Sequence, residues 1–243
     1  MRRLLACLLA LLPVGGVAHA GCSTLEHEGR GYAVCEVTLA DDLRLFHSGP
    51  DGLYGSFAAI NAALEPQGLT LGFAMNAGMY APGRAPLGLY IEEGVELAPI
   101  VTAAGPGNFG MRPNGVFCAT EAGFAVIESR AFAAAPPACR FATQSGPMLV
   151  IDGELHPRFL VDSDSLYIRN GVGVSADGQK SVFAISDDPV TFHQFGRLFR
   201  DVLDTPQALY LDGSISRLYS PALERHDRGL PLGPIIGTVV PRG

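Results

Sequence analysis

Acidic, amide and basic side chains stand where apolar stretches of this sequence end, and three of them could act together on a charged substrate. The run "ALYLDGS" ends at Asp212, "FAISDDP" ends at Asp187, and Arg169 stands in "LYIRNG". A guanidinium among apolar residues is costly to bury unless it meets an anion. We therefore take Asp212, Arg169 and Asp187 as candidate catalytic residues. Further polar residues near strand ends are candidate substrate-binding groups, of types that suit a sugar bearing a phosphate: Asn76, Asn114, Gln144, Ser145, Asn170, Ser214 and His193.

Local explanations of the same residues stay open. The pairs Asp212-Gly213 and Asn114-Gly115 are preferred in tight turns, because both residues tolerate positive φ. Arg169 has a salt bridge to a carboxylate such as Asp187 or Asp212 as its alternative. His193 falls in the first turn of a predicted helix, where a surface or capping role is common.

Metal and nucleotide motifs are missing from the sequence. The histidines are scattered without an HExxH pattern, and no P-loop or GxGxxG stretch precedes a helix. The sequence therefore requires no cofactor. It neither requires nor excludes a divalent ion that would share the charge of a phosphate.

The spacing of apolar residues predicts many short strands, many turns and two main helices. Thirty glycines and eighteen prolines are scattered through 243 residues. Ser56 caps one predicted helix, and a capping box of Thr191 and Gln194 opens the other. Segments 32–39 and 43–48 predict an N-terminal hairpin. Continuous apolar runs such as "MLVI" indicate a central, mixed, multi-stranded sheet covered on both faces, so the predicted class is α+β.

The first twenty residues predict a secretory signal peptide. Arg2 and Arg3 precede an apolar run at 4–12, and small residues near position 20 suit cleavage. Lipidation at Cys22 is a weaker alternative, because His19 stands where an aliphatic residue is expected. Residues 21–243 are then expected to form a single domain of an exported protein, either periplasmic or secreted.

Charge and cysteine content restrict the expected partners. The formal net charge is −7, and −9 without Arg2 and Arg3, so nucleic acid is not an expected partner. No segment after the first twenty residues is apolar enough to span a bilayer. The four remaining cysteines predict disulfides, and pairing of sequence neighbours gives Cys22–Cys35 and Cys118–Cys139, one of three pairings.

Six stretches, in this order, resemble the phosphodiester glycosidase family: "NAGMY", "PNGVF", "QSGPMLV", "RNGVGVSADG", "FAISDDPVTFHQFGRLFRDVL" and "ALYLDGSISRLY". The resemblance covers roughly residues 30 to 243. It implies hydrolysis of a sugar-1-phosphodiester, and by motif it implies Asn76, Arg169 and Asp212 as site residues. Where the family has a glycine-rich stretch after the aspartate, this sequence reads Asp-Gly-Ser-Ile-Ser, which implies a differently shaped pocket.

The chemistry of such a bond favours an anion site over a strong acid. The departing phosphomonoester has a second pKa of about 6 and needs little protonation. In this hypothesis Arg169 holds the phosphate of an anionic carbohydrate, Asp212 stabilises or attacks the anomeric carbon, and Asp187 assists water as a base. Two alternatives belong to other classes: a non-catalytic module that binds an anionic glycan, and a hydrolase that attacks at phosphorus.

Overall fold

A computed structural model describes residues 21–212 and 215–243 of the chain. The predicted signal peptide, residues 1–20, and the candidate Ser214 lie outside the described residues. The strands are, in chain order, β1 Cys22–His27, β2 Arg30–Thr38, β3 Asp42–Phe46, β4 Ser48–Gly49, β5 Gly52–Leu53, β6 Leu69–Asn76, β7 Tyr90–Glu92, β8 Val95–Ala98, β9 Gly115–Ala119, β10 Phe124–Glu128, β11 Phe141–Ser145, β12 Met148–Ile151, β13 Glu154–Leu155, β14 Asn170–Val174, β15 Lys180–Ser186, β16 Gln207–Asp212, β17 Leu218–Ser220, β18 Arg225–His226 and β19 Ile235–Pro241. The helices are α1 Phe57–Leu64, α2 Ser129–Ala134 and α3 Phe192–Arg197, and α3 continues into a π-helical turn, Leu198–Val202.

The strands form three larger sheets, in which each pairing between described strands is antiparallel. The largest has seven strands in the order β1-β2-β15-β14-β16-β12-β13. Two five-stranded sheets have the orders β10-β9-β11-β7-β8 and β18-β17-β6-β19-β3. The α+β class is confirmed. The single mixed sheet expected from the sequence is instead divided into these antiparallel sheets, because each turns an apolar face to a shared core.

The shared core is visible at one phenylalanine. Phe183 of β15 lies with its ring centroid 5.5 Å from Phe73 of β6 and 5.6 Å from Phe117 of β9, so the three sheets meet there. The opposite face of the seven-stranded sheet is covered by α3 and its π-helical turn. Gly173 in β14 permits this close approach, since a Cβ atom there would lie 2.8 Å from the Phe199 ring.

Local capping signals explain where the helices begin. The Ser56 hydroxyl accepts from the Ala59 N–H (3.2 Å), and both bonds of the capping box between Thr191 and Gln194 are formed. The predicted starts of α1 and α3 are therefore confirmed. Helix α2 was not predicted, because its six residues are too few to show a helical period.

The predicted N-terminal hairpin is wrong. Strand β2 pairs with β1 and β15, whereas β3 pairs with β19 in another sheet. The Asp41 carboxylate accepts from the Thr38 N–H (2.8 Å) and hydroxyl (2.9 Å), which fixes the turn where the chain changes sheets.

Both predicted disulfides are confirmed. Cys22–Cys35 joins β1 to β2, and Cys118–Cys139 joins β9 to the segment before β11. Among the helices of the described residues, none combines the length and the apolar character required to cross a membrane.

Candidate active site

The candidate catalytic residues lie at one end of the seven-stranded sheet. Asn170, the first residue of β14, pairs with Asp212 at the end of β16 and with Ile185 near the end of β15. Arg169 precedes Asn170 in the chain, and Asp187 follows β15. Because β14 is antiparallel to both neighbours, its start lies beside their ends. The sheet thus brings Arg169, Asp187 and Asp212 to a common edge.

Asp212 is held at this edge through its backbone. Its N–H donates to Asn170 Oδ1 (3.1 Å), and its carbonyl accepts from the Ser216 hydroxyl (2.8 Å). Asp212 pairs with Asn170, and a register shift in the pairing of β14 with β16 falls between Tyr210 and Asp212, so these two side chains do not follow the regular alternation of a strand. Burial raises the pKa of Tyr210, and the negative charge of Asp212 adds to that rise. Asp212 is only 8% exposed and lies in largely dehydrated surroundings.

Arg169 is buried among aromatic rings and has no salt bridge to a described residue. Its Cζ lies 3.7 Å from the Phe192 ring centroid and 5.4 Å from that of Tyr210. Its Nε donates to the Val190 carbonyl (2.8 Å), and its Nη2 donates to the Ser165 carbonyl (2.9 Å). The alternative of a salt bridge to Asp187 or Asp212 is not found in the described part of the chain.

Within residues 21–212 and 215–243, the guanidinium of Arg169 therefore has neutral carbonyls and aromatic rings as its contacts. Burial lowers its pKa, and the nearby Tyr210 hydroxyl opposes that shift without completing a hydrogen bond to Nη1. Nη1 is buried and has no partner. An arginine stays protonated at neutral pH even so. An unneutralised charge of this kind stabilises an anion bound nearby.

Asn76 and Asn170 tie two sheets together beneath Asp212. Asn76 Nδ2 donates to Asn170 Oδ1 (3.0 Å), and Asn170 Nδ2 donates to the Asn76 carbonyl (2.7 Å). Asn76 Oδ1 accepts from the Arg217 N–H (3.0 Å). Both asparagines are buried, so these contacts assign them to positioning the strand ends around Asp212.

Asp187 lies at the same end of the seven-stranded sheet, but its carboxylate has a partner other than Arg169. Its carboxylate forms an ion pair with Arg225 (2.6 Å), and 42% of its side chain is exposed. His193 is half-buried in the first turn of α3, directly after Phe192. The structure brings neither side chain into a described hydrogen bond with Arg169 or Asp212.

Gln144 and Ser145 have their polar atoms bonded inside the protein. Gln144 Oε1 accepts from the Leu89 and Val101 N–H groups, and its Nε2 donates to the Val101 carbonyl and to the Ser129 hydroxyl. The Ser145 hydroxyl donates to the Leu211 carbonyl (2.8 Å). Gln144 therefore anchors loops and Ser145 joins β11 to β16, and the role of both in substrate binding stays a prediction.

Asn114 is buried next to a loop rather than at the sheet edge. Its Nδ2 donates to the Phe109 carbonyl (2.8 Å), whereas its Oδ1 is buried with no partner. An amide oxygen without a donor is uncommon inside a protein. Asn114 is therefore the candidate binding residue with a buried acceptor still unused.

Comparison with known proteins identifies the family of the chain. The profile of the phosphodiester glycosidase family matches residues 70–227, which include Asn76, Arg169, Asp187 and Asp212. The chain belongs to the phosphodiester glycosidase family. Within that family it is 35% identical over 212 residues to an uncharacterised protein, YigE, of Escherichia coli K12, covering 87% of this chain and 82% of that protein.

Solved structures show the same fold at low sequence identity. The catalytic domain of zebrafish N-acetylglucosamine-1-phosphodiester alpha-N-acetylglucosaminidase, auto-inhibited by its pro-peptide, superposes with a TM-score of 0.60 at 14% identity over 90% of this chain and 81% of that one. A hypothetical protein from Synechocystis gives a TM-score of 0.57 at 14% identity over 90% of this chain and 61% of that one. The fold of a phosphodiester glycosidase is therefore shared across distant sequences.

Sequence reasoning missed two tyrosines and one arginine of this family member. Tyr210 lies beside Arg169, and Tyr80 lies near Asp212 and Arg217, whose charges act on the pKa of its hydroxyl. The aromatic residue in the apolar run before Asp212 was a signal for Tyr210, although a register shift between the two interrupts the regular alternation of β16. Tyr80 and Arg217 offered no such signal, because chain segments far away in sequence bury them.

A metal site has no obvious ligand set here. Residues 21–212 and 215–243 contain no group of three or more His, Cys, Asp or Glu side chains that could hold a metal ion.

Proposed function

We propose that the chain hydrolyses a sugar-1-phosphodiester of a glycan or cell-envelope substrate, breaking the bond between the anomeric carbon and the phosphate oxygen. Membership of the family supports a glycosidase of this class. The proposed roles of the residues rest on one observation, which is the placement of two buried charged side chains. A largely buried carboxylate, Asp212, stands at a strand end and pairs with Asn170, the residue after Arg169, whose buried guanidinium has no carboxylate partner in the described residues.

The proposed mechanism divides two developing charges between two residues. As the bond to C1 breaks, negative charge grows on the departing phosphate oxygen and positive charge grows on the sugar ring. Arg169 stabilises the first charge, and Asp212 stabilises the second or attacks C1 directly. The departing phosphomonoester has a second pKa of about 6, so a strong acid is not needed.

Water completes the reaction in this proposal. Its oxygen bonds to C1, breaking the C1–Oδ bond and freeing the Asp212 carboxylate where that residue has attacked, and its proton passes to a base. Asp187 is the proposed base because it follows β15 at the same end of the seven-stranded sheet as Asp212. Its ion pair with Arg225 must break before it can accept a proton. Asn114, Ser214 and His193 are the remaining proposed contacts to sugar hydroxyls and phosphate oxygens.

Export of the protein is part of the same proposal. Two disulfides fit an oxidising compartment, and a sugar-phosphodiester of the cell envelope would be met there. We therefore propose a periplasmic or secreted location.

The deciding experiment combines product analysis with one variant. The wild type is incubated with a chromogenic sugar-1-phosphodiester in water labelled with heavy oxygen, and the label is expected on the sugar. Asp212→Asn should lower kcat by about a hundredfold or more while still binding the substrate. Label on the phosphate would identify attack at phosphorus instead, and binding without release of the chromophore would identify a glycan-binding module.

A further inference from the structure

A second buried arginine near Asp212 also lacks a carboxylate partner among the described residues. Arg217 is 8% exposed, and its Nη2 donates to the Leu230 carbonyl. Its Nε is buried without a partner. Asp227 is near enough to affect the pKa of Arg217, but Asp227 is hydrogen-bonded by Arg225 Nε and Nη2. The guanidinium of Arg217 is thus hydrogen-bonded to a neutral carbonyl.

Three consecutive carbonyls of one loop accept from the side chains around Arg217. The Leu230 carbonyl accepts from Arg217 Nη2, and the Pro231 carbonyl accepts from the Tyr80 hydroxyl (3.4 Å). The Leu232 carbonyl accepts from Arg84 Nη1 (3.4 Å). Arg84 has no ion pair with a described carboxylate either. Two cationic side chains and one hydroxyl are therefore fixed along a loop that offers them no negative charge.

Contacts connect this cluster to Asp212. The Arg217 N–H donates to Asn76 Oδ1, and Asn76 bonds to Asn170, whose Oδ1 accepts from the Asp212 N–H. Burial raises the pKa of Tyr80, Asp212 adds to that rise, and Arg217 opposes it, so the Tyr80 hydroxyl is within electrostatic reach of both charges.

The two buried arginines approach Asp212 from different layers of the fold. Arg169 packs with α3 on the outer face of the seven-stranded sheet, against Phe192 and Tyr210. Arg217 stands directly before β17, in the sheet that also contains β6. The two guanidinium groups pack against rings of different layers, Arg169 against Phe192 and Arg217 against Phe57, and this separation favours two anionic groups over one shared phosphate.

We propose that Arg217 and Tyr80 form a subsite for a second anionic group, so that the substrate is an acidic sugar carrying a carboxylate or a further phosphate besides its phosphodiester. This inference rests on the proposed function for the position of the sugar at Asp212. It adds the class of sugar, which the family does not specify. Arg217 provides the charge of the subsite, and the Tyr80 hydroxyl would turn its one proton from the Pro231 carbonyl to the same anion.

Binding measurements test the subsite without requiring hydrolysis. Glucose 1-phosphate, glucuronic acid 1-phosphate and glucose 1,6-bisphosphate are titrated calorimetrically into the wild type, Arg217→Gln and Arg228→Gln. The wild type should bind one or both doubly anionic ligands about tenfold to a hundredfold more tightly than glucose 1-phosphate. The carboxylate and phosphate ligands distinguish which anion the subsite prefers.

The variants provide the internal control. Arg217→Gln should lose that preference while its affinity for glucose 1-phosphate stays within about threefold of the wild type. Arg228→Gln removes the same charge from an exposed position nearby and should behave like the wild type. Where Arg217→Gln does not fold, Arg217→Lys keeps the charge and should keep part of the preference.

Two results would overturn the subsite. One is equal affinity of the wild type for all three ligands, and the other is a uniform loss for all three in Arg217→Gln, which would assign Arg217 to the 1-phosphate itself. A wild type that prefers acidic sugars but hydrolyses no sugar-1-phosphodiester would reject the proposed function and leave the subsite standing.

Discussion

At the scale of single residues, the burial of the charged Arg169 side chain costs free energy that other interactions must offset. Taking a guanidinium out of water costs several kcal/mol in general, and two carbonyl acceptors together with contacting rings return only part of that. Replacing a buried charge by an apolar side chain of similar volume is often neutral or stabilising. Retaining the arginine is therefore better explained by binding than by stability.

Arg169→Met should separate activity from folding. We expect kcat/KM for a sugar-1-phosphodiester to fall by about a hundredfold to a thousandfold, as on removal of an electrostatic donor elsewhere. The free energy of unfolding should change by less than about 2 kcal/mol, because the loss of hydrogen bonds to Val190 and Ser165 is offset by the removal of a buried charge. Steady-state kinetics and urea denaturation measure the two quantities.

Arg140→Met is the matched control for this change. Arg140 pairs on the surface with Glu93, and both side chains are about half exposed, at 44% and 55%. The control should keep wild-type kcat/KM. Wild-type kinetics in Arg169→Met would remove Arg169 from the mechanism.

At the scale of elements, a row of aromatic rings joins the segment after β13 to Arg169. Ring centroids are 4.9 Å apart between His156 and Phe159, 5.0 Å between Phe159 and Phe192, and 4.8 Å between Phe192 and Tyr210. The same segment supplies Ser165 to the guanidinium. The packing of His156 thus contributes to the placement of Arg169.

Protonation of His156 should weaken this element in acid. Burial, helped by the charge of Arg158, lowers the pKa of His156 to about 4. A histidine in the unfolded chain has a pKa of about 6.5, so acid protonates the unfolded state first. The stabilisation by neutral His156 is therefore complete above about pH 6.5 and is lost as the pH falls towards 4, with a ceiling of about 3 kcal/mol.

Urea denaturation from pH 7 to pH 4 tests this prediction. His156→Phe keeps a ring against Phe159, and it should lose up to about 3 kcal/mol less than the wild type over that range. His226→Phe replaces an exposed histidine and should follow the wild type. Parallel pH profiles for all three proteins would contradict a neutral buried His156.

The elements also show what the sequence can and cannot predict. Strand β6 ends at Asn76, a polar residue that the sequence marked as a candidate near the end of a strand. Gln144 and Ser145 stand in the same kind of sequence context, yet partners 43 and 66 residues away hold their side chains inside. Local pattern predicts where a strand ends, whereas long-range contacts decide which polar group is left for a ligand.

Arg217 is a buried charged residue that the local sequence did not indicate. It stands only five residues after Asp212, in a stretch that reads as a turn followed by alternating residues. Its burial comes from the loop around Leu230 and from Phe57 of α1, whose ring centroid lies 6.0 Å from the guanidinium. Neither segment is adjacent in sequence, so no local pattern could have indicated a buried cation.

At the scale of the whole molecule, the net charge of the chain is negative, whereas the two buried arginines of the candidate site are positive. The chain has 17 basic and 24 acidic residues, a net charge of −7, whereas the site presents Arg169 and Arg217 buried near Asp212. An anionic substrate is therefore repelled at long range and attracted at short range. Salt screens exposed, distant charges strongly and buried neighbours only weakly, because the Debye length is about 10 Å at 0.1 M.

Raising the salt concentration should therefore not weaken catalysis on an anionic phosphodiester. Between about 20 mM and about 200 mM salt, kcat/KM is expected to stay level or to rise by up to about threefold, since the long-range repulsion is screened first. A sugar-1-phosphocholine has no net charge and serves as the matched substrate, for which a flat profile is expected. A steep fall for the anionic substrate alone would mean that exposed cations, rather than the buried arginines, dominate its binding, and the charge arrangement proposed around Asp212 would then have to be abandoned.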